Sequence, residues 1–65
     1  MYVIYLNCEL YGVTTSKEKA WKILTDYFKE KGYSEDFIEN EKKSFENFNS
    51  CGDGDNWISF TDNIF

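Results

Sequence analysis

Tyr2-Val3-Ile4-Tyr5-Leu6-Asn7-Cys8-Glu9-Leu10-Tyr11-Gly12-Val13-Thr14, followed at once by Thr15-Ser16-Lys17-Glu18-Lys19-Ala20-Trp21, is the stretch on which the fold turns. Its first residues are β-branched and aromatic, and Leu10 to Thr14 repeat that character after the polar break at Asn7-Cys8-Glu9, which predicts a β-hairpin. With no polar residue between Tyr2 and Leu6, the first strand is expected to be covered on both faces or to lie centrally in its sheet. The period then changes. Thr15-Ser16-Lys17-Glu18 fits a capping box, Thr15 taking an orphan amide and Glu18 reaching back. Ala20, Ile23, Leu24, Tyr27 and Phe28, with Trp21 at the margin, follow at helical spacing. Glu18, Lys22, Asp26 and Lys29 fall on the other side, with Glu18-Lys22 and Lys22-Asp26 spaced as ion pairs, and Gly32 is the expected stop. A helix over about residues 16 to 31 is the result.

Further along, Ser34 ahead of Glu35 and Asp36 marks a second helix start, a capping hydroxyl before carboxylates that favour the positive end of the dipole. Phe37, Ile38, Phe45 and Phe48 do not form an unbroken stripe, because no apolar residue stands between Glu39 and Ser44. The pattern predicts a short helix through about Lys42 and an extended piece near Phe45 to Phe48, with one helix running to Phe48 as the alternative. Asn49 to Asn56 is rich in turn formers, and Trp57-Ile58-Ser59-Phe60-Thr61 has strand composition. An extended Phe45 to Phe48 would make a second hairpin with it. The fold class expected is α+β in a single domain spanning residues 1–65: a small antiparallel sheet, an N-terminal hairpin plus a C-terminal strand or hairpin, packed against one main amphipathic helix, with a second short helix.

The chain has 65 residues and one core to build, so its two Trp, five Tyr and six Phe are read mainly as core. No charged leader precedes an apolar stretch and no run is long enough to cross a bilayer, so a cytoplasmic protein without a membrane partner is expected. Cys8 and Cys51 then read as reduced thiols rather than a disulfide.

Function classes narrow by what is absent. There is no histidine and no arginine, so the usual general base at neutral pH and the usual thiol-activating partners are lacking, and no enzyme activity is expected. Asp53-Gly54-Asp55-Asn56 has a fragment of a calcium loop, but read from Asn49 the closing twelfth position is Phe60, so a hairpin loop bonding its own backbone is the better reading. Neither a metal nor another cofactor is called for. Net charge −5 and the lack of arginine speak against direct nucleic-acid binding.

The charge is unevenly placed. Residues 1 to 15 carry −1, residues 16 to 33 carry +2, and residues 34 to 65 carry two lysines against eight acids. Glu35, Asp36, Glu39, Glu41, Glu46, Asp53, Asp55 and Asp62 could thus form an acidic face, with Phe48 or Trp57 as aromatic anchors. A solvated face that keeps a small protein soluble is the plainer account of the same acids.

Tyr2-Val3-Ile4-Tyr5-Leu6 with Glu9-Leu10-Tyr11-Gly12-Val13-Thr14-Thr15-Ser16-Lys17-Glu18-Lys19-Ala20-Trp21 resembles the start of small phage and prophage-type proteins of low-GC Gram-positive bacteria. The resemblance covers about the first 30 residues and carries no catalytic residue. It implies an anti-defence role of the anti-CRISPR kind, exercised by occupying a functional surface of a host protein, and the acidic half of the chain makes a basic surface, including one that normally holds nucleic acid, the expected one. An aromatic-lined sponge for a small ligand or nucleotide is the second expectation. The third is a homo-oligomeric structural or regulatory module, a homodimer being the simplest form.

Overall fold

Asn7 and Cys8 both take left-handed backbone angles, φ 56° and 64°, and so form the two-residue turn whose twist suits an antiparallel hairpin. A computed structural model describes residues 1–61 of the chain; Asp62, Ile64 and Phe65 lie outside the described residues. The turn joins strand β1 (Tyr2–Leu6) to β2 (Glu9–Thr14). Helices α1 (Lys17–Glu30) and α2 (Glu35–Phe48) follow, then β3 (Cys51–Gly52) and β4 (Trp57–Phe60). All pairings are antiparallel, and the four strands lie in the order β2-β1-β4-β3. β1 is therefore internal, as its apolar run predicts. The two helices cover one face of the sheet, and the fold is α+β as expected.

Alternation along β1 decides which side is core. Tyr2 and Ile4 are buried with Ile58 of β4, which lies opposite Ile4. Onto them α1 lays Ala20, Leu24 and Phe28, spaced one helical turn apart, and α2 adds Phe45. Burial of these side chains drives the fold, at roughly 1.5–3 kcal/mol for each large one. Rings extend the contact: Phe28 stacks on Tyr33 with centroids 4.7 Å apart, and Phe37 meets Phe28 edge-on at 5.3 Å.

Helix ends follow the sequence with one displacement. Ser16, not Thr15, caps α1: its hydroxyl accepts from the Lys19 amide at 3.2 Å, while the Thr14 hydroxyl accepts from the Ser16 amide at 3.1 Å. The cap is set by where β2 releases the chain. Lys19 then occupies the position at which a capping box needs an acid, so Glu18 serves only the helix dipole. At the other end Gly32 has φ 82°, and the amides of Gly32 and Tyr33 bond back to the carbonyls of Lys29 and Phe28. This is a Schellman closure, and the Tyr33–Phe28 ring stack is its customary apolar contact. Of the two expected ion pairs on α1, Lys22–Asp26 forms at 3.8 Å between exposed groups; it is the one salt bridge among the described residues.

The larger correction concerns α2. Ser34 caps it as expected, accepting from Phe37, but the helix does not stop at Lys42 and Phe45 to Phe48 is not extended. One helix runs to Phe48, the alternative reading, and ends at Asn49 in left-handed backbone, φ 59°. The apolar stripe is interrupted because Glu41 takes an inward position between Phe37 and Phe45, where its carboxylate accepts from the Gly52 amide at 2.9 Å. The second hairpin accordingly pairs β4 with Cys51–Gly52 instead of Phe45 to Phe48. Lys17 closes the helix pair: its ammonium donates to Asn49 Oδ1 at 2.8 Å and lies 5.2 Å from the centre of the Phe45 ring.

Candidate functional site

The expected site residues do not lie on one surface. On α2, Glu35, Asp36, Glu39 and Glu46 are exposed. At about 100° per residue, Glu35, Glu39 and Glu46 fall on one stripe with Asp36 beside it, and Lys42 and Lys43 interrupt it. Phe48 is 73% exposed, but it sits at the end of α2 on a different side of the helix. Glu41 is half-buried and committed to Gly52, so it belongs to the framework.

Asp53 and Asp55 sit in the β3–β4 loop, both exposed, and Asp53 is likewise engaged by hydrogen bonds within the chain. Its carboxylate accepts from the Tyr33 hydroxyl at 2.7 Å, from the Asn56 amide at 2.9 Å and from the Asp55 amide at 3.1 Å. Asn56 is buried; its Oδ1 accepts from the Asn7 amide at 2.7 Å and its Nδ2 donates to Asp53. The Cys8 amide donates to the Asp55 carbonyl at 2.7 Å. The loop is thus latched to the β1–β2 turn, and an aspartate-rich segment reads as a turn bonding its own backbone, as its composition predicts. Among the described residues no group of three His, Cys, Asp or Glu side chains is placed to hold a metal ion.

Partial burial pushes the Asp53 carboxyl up, but the hydrogen bonds from Tyr33, Asn56 and Asp55 outweigh it and hold it below the usual aspartate range. A carboxylate with a lowered folded-state pKa stabilises the fold above its unfolded value and loses that contribution as pH falls through the folded one. Asp53→Asn should therefore be less stable than the parent at neutral pH, with the gap closing in acid, below about pH 4. Urea titrations across pH measure it; a gap that stays constant into acid would show that the charge of Asp53 does no work.

Neither thiol is primed for chemistry. Burial, then the Glu41 charge, pushes Cys51 up to about 12. Cys8 is raised by its hydrogen bond to Asp55. Both are free cysteines, protonated at neutral pH.

Trp57 points the other way from its neighbour Ile58, onto the sheet face that the helices leave open. There it stacks on Tyr5 with centroids 4.5 Å apart and 16° between the planes. The two rings touch, so no planar ligand fits between them within one chain. Val3, Leu10 and Val13 share this face, since Val13 lies opposite Val3 and Leu10 opposite Tyr5. None of these strand residues is charged. Sequence reasoning missed Tyr5, Leu10 and Val13 as surface residues; the signal available was the excess of apolar residues in β2 over what one buried face can use.

Compared with known proteins, the chain matches no family model, no curated protein and no solved structure. Among the described residues, no helix is long and apolar enough to cross a membrane.

Proposed function

We propose that this protein acts by stoichiometric binding rather than by catalysis, presenting Glu35, Asp36, Glu39 and Glu46 of α2 to a basic surface of a host protein. The observation that carries this reading is that these four carboxylates are exposed and that none is salt-bridged to a lysine. They are free to meet a cationic partner without first giving up a cation of their own. Net charge −5 adds long-range steering toward such a surface. The phage-type resemblance makes an anti-defence target, a protein that normally holds nucleic acid on that surface, the natural partner. Against catalysis stand the lack of histidine and two thiols held protonated. Direct nucleic-acid binding has no cationic, arginine-bearing surface to support it.

The test begins with capture of the partner from a lysate of a low-GC Gram-positive host and its identification by mass spectrometry. Affinity is then compared for the parent and for a variant with Glu35→Lys, Asp36→Lys, Glu39→Lys and Glu46→Lys. Four exposed pairs at a few tenths to about 1 kcal/mol each predict a loss on the order of 10- to 1,000-fold, shrinking as salt is raised. Unchanged affinity and an unchanged salt slope would remove α2 from the interface.

A further inference from the structure

β2 pairs with β1 on one side, and no strand among the described residues covers its other side. The opposite edge of the sheet is protected differently: β3 has only two residues, and the carboxylate of Glu41 already takes the Gly52 amide. β2 has six residues, no proline and no lysine, and of the usual devices that keep an edge from pairing it has a bulge at Tyr11 and the single charge of Glu9. Among the described residues it also carries three of the exposed large apolar side chains, with Leu10 63%, Tyr11 62% and Val13 51% exposed.

We infer that β2 is a self-association edge, pairing antiparallel with β2 of a second copy about a twofold axis to join two four-stranded sheets into one. The backbone supports this first. Met1 and Thr61 exchange hydrogen bonds at 2.9 Å, so the odd-numbered residues of β1 bond toward β4. Leu10 and Val13, opposite Tyr5 and Val3, therefore turn their amides and carbonyls outward, away from β1.

The edge is irregular, and the irregularity selects its occupant. Leu10 pairs with Tyr5 and Gly12 with Ile4, so Tyr11 is an extra, bulged residue and the interval between the outward-facing Leu10 and Val13 is lengthened. A regular strand does not match that interval. A second β2 read in the opposite direction does, because the twofold places Leu10 against Val13 of the second copy and Val13 against its Leu10. The same register sets Tyr11 against Gly12, whose Cα has nothing within 4 Å of where a Cβ would be, so an aromatic ring covers a bare glycine from each side. Glu9, the only charge on the strand, falls opposite Thr14 and not opposite its own copy. Like charges are kept apart, and the open aromatic faces become continuous.

The contact is small, which places it among weak, reversible dimers. Each copy carries −5, so added salt should tighten it, whereas binding of the α2 acids to a basic protein weakens with salt. The two proposals thus fail separately.

The experiment is sedimentation equilibrium on the full chain from about 1 μM to 1 mM, with hydrogen exchange followed over the same range. A monomer–dimer equilibrium is expected, with Leu10 and Val13 amides gaining protection as concentration rises. Leu10→Lys and Val13→Glu, both at exposed positions, should each weaken the dimer at least about tenfold while leaving the monomer's thermal melt unchanged. Mixing the two variants should restore a dimer, because the register brings the new lysine of one chain against the new glutamate of the other and leaves a Leu10–Val13 pair intact. A monomer throughout, protection that does not change with concentration, or a mixture that stays monomeric would overturn the assignment.

Discussion

Phe28→Ala should cost the chain a large share of its stability at room temperature. Phe28 is fully buried, at the point where α1, the helix-closing turn and the start of α2 meet, with Tyr33 stacked on its ring at 4.7 Å and Phe37 edge-on at 5.3 Å. Truncating such a ring costs about 3–5 kcal/mol, transfer and cavity together. A chain of this length has roughly 0.05–0.15 kcal/mol per residue in hand, or about 3–10 kcal/mol in all. The loss is thus a large share of the total. Because Tyr33 also closes the C-terminal end of α1, the vacancy loosens the link between the two helices as well as the core. Urea unfolding followed by far-UV circular dichroism reads the effect; a loss under about 1 kcal/mol would mean that Phe28 is not central to the core.

Gly52→Ala should be the second most damaging change, for a steric reason unrelated to burial of apolar surface. A Cβ at Gly52 would collide with the Trp57 Cβ, come 2.5 Å from the Asn56 carbonyl oxygen and 2.7 Å from the Trp57 Cα. These are backbone or near-backbone atoms of the paired strand, so they cannot swing aside. Relief requires β3 and β4 to separate, which also pulls the Gly52 amide from Glu41 and shifts Trp57 against Tyr5. A cost of about 2–4 kcal/mol is expected, of the kind seen when a tight site is overpacked. Near-ultraviolet circular dichroism should show loss of the Tyr5–Trp57 stack in whatever folded protein remains. A variant with the parent's stability and spectrum would show that the β3–β4 approach has room for a methyl group at Gly52.

How much of this was legible depends on how far apart the causes lie in the chain. α1 could be read because Ala20, Leu24 and Phe28 recur one turn apart and Gly32 permits the left-handed stop, all local features. Its cap was misplaced by one residue because Thr14, Thr15 and Ser16 present three hydroxyls in a row, and only the exit from β2 selects among them. α2 looked broken because Glu41 occupies an inward position, and the reason it can do so, the Gly52 amide, lies in another element. β3 has no strand propensity of its own; Cys51 and Gly52 are held by Ile58 and Trp57 opposite. The site divides in the same way. That the second half is acidic was plain from composition, and four of the α2 acids are exposed. That Glu41 and Asp53 serve the framework was not, since their partners Gly52 and Tyr33 are distant in sequence. The placement of Trp57 on the open face follows from Ile58 pairing with Ile4, which only the assembled sheet reveals.

The internal position of β1 bears on how the protein is made. Its first neighbour, β2, emerges from the ribosome directly behind it, but its second, β4, is made only after both helices. Until Ile58 arrives to lie against Ile4, a nascent hairpin must wait with one apolar flank unmatched, and completion depends on a meeting between strands that both helices separate in the chain. Anything that slows translation through the helices lengthens that exposure, so the yield of native protein in the cell should depend on elongation rate and chaperone supply as well as on the stability of the finished fold.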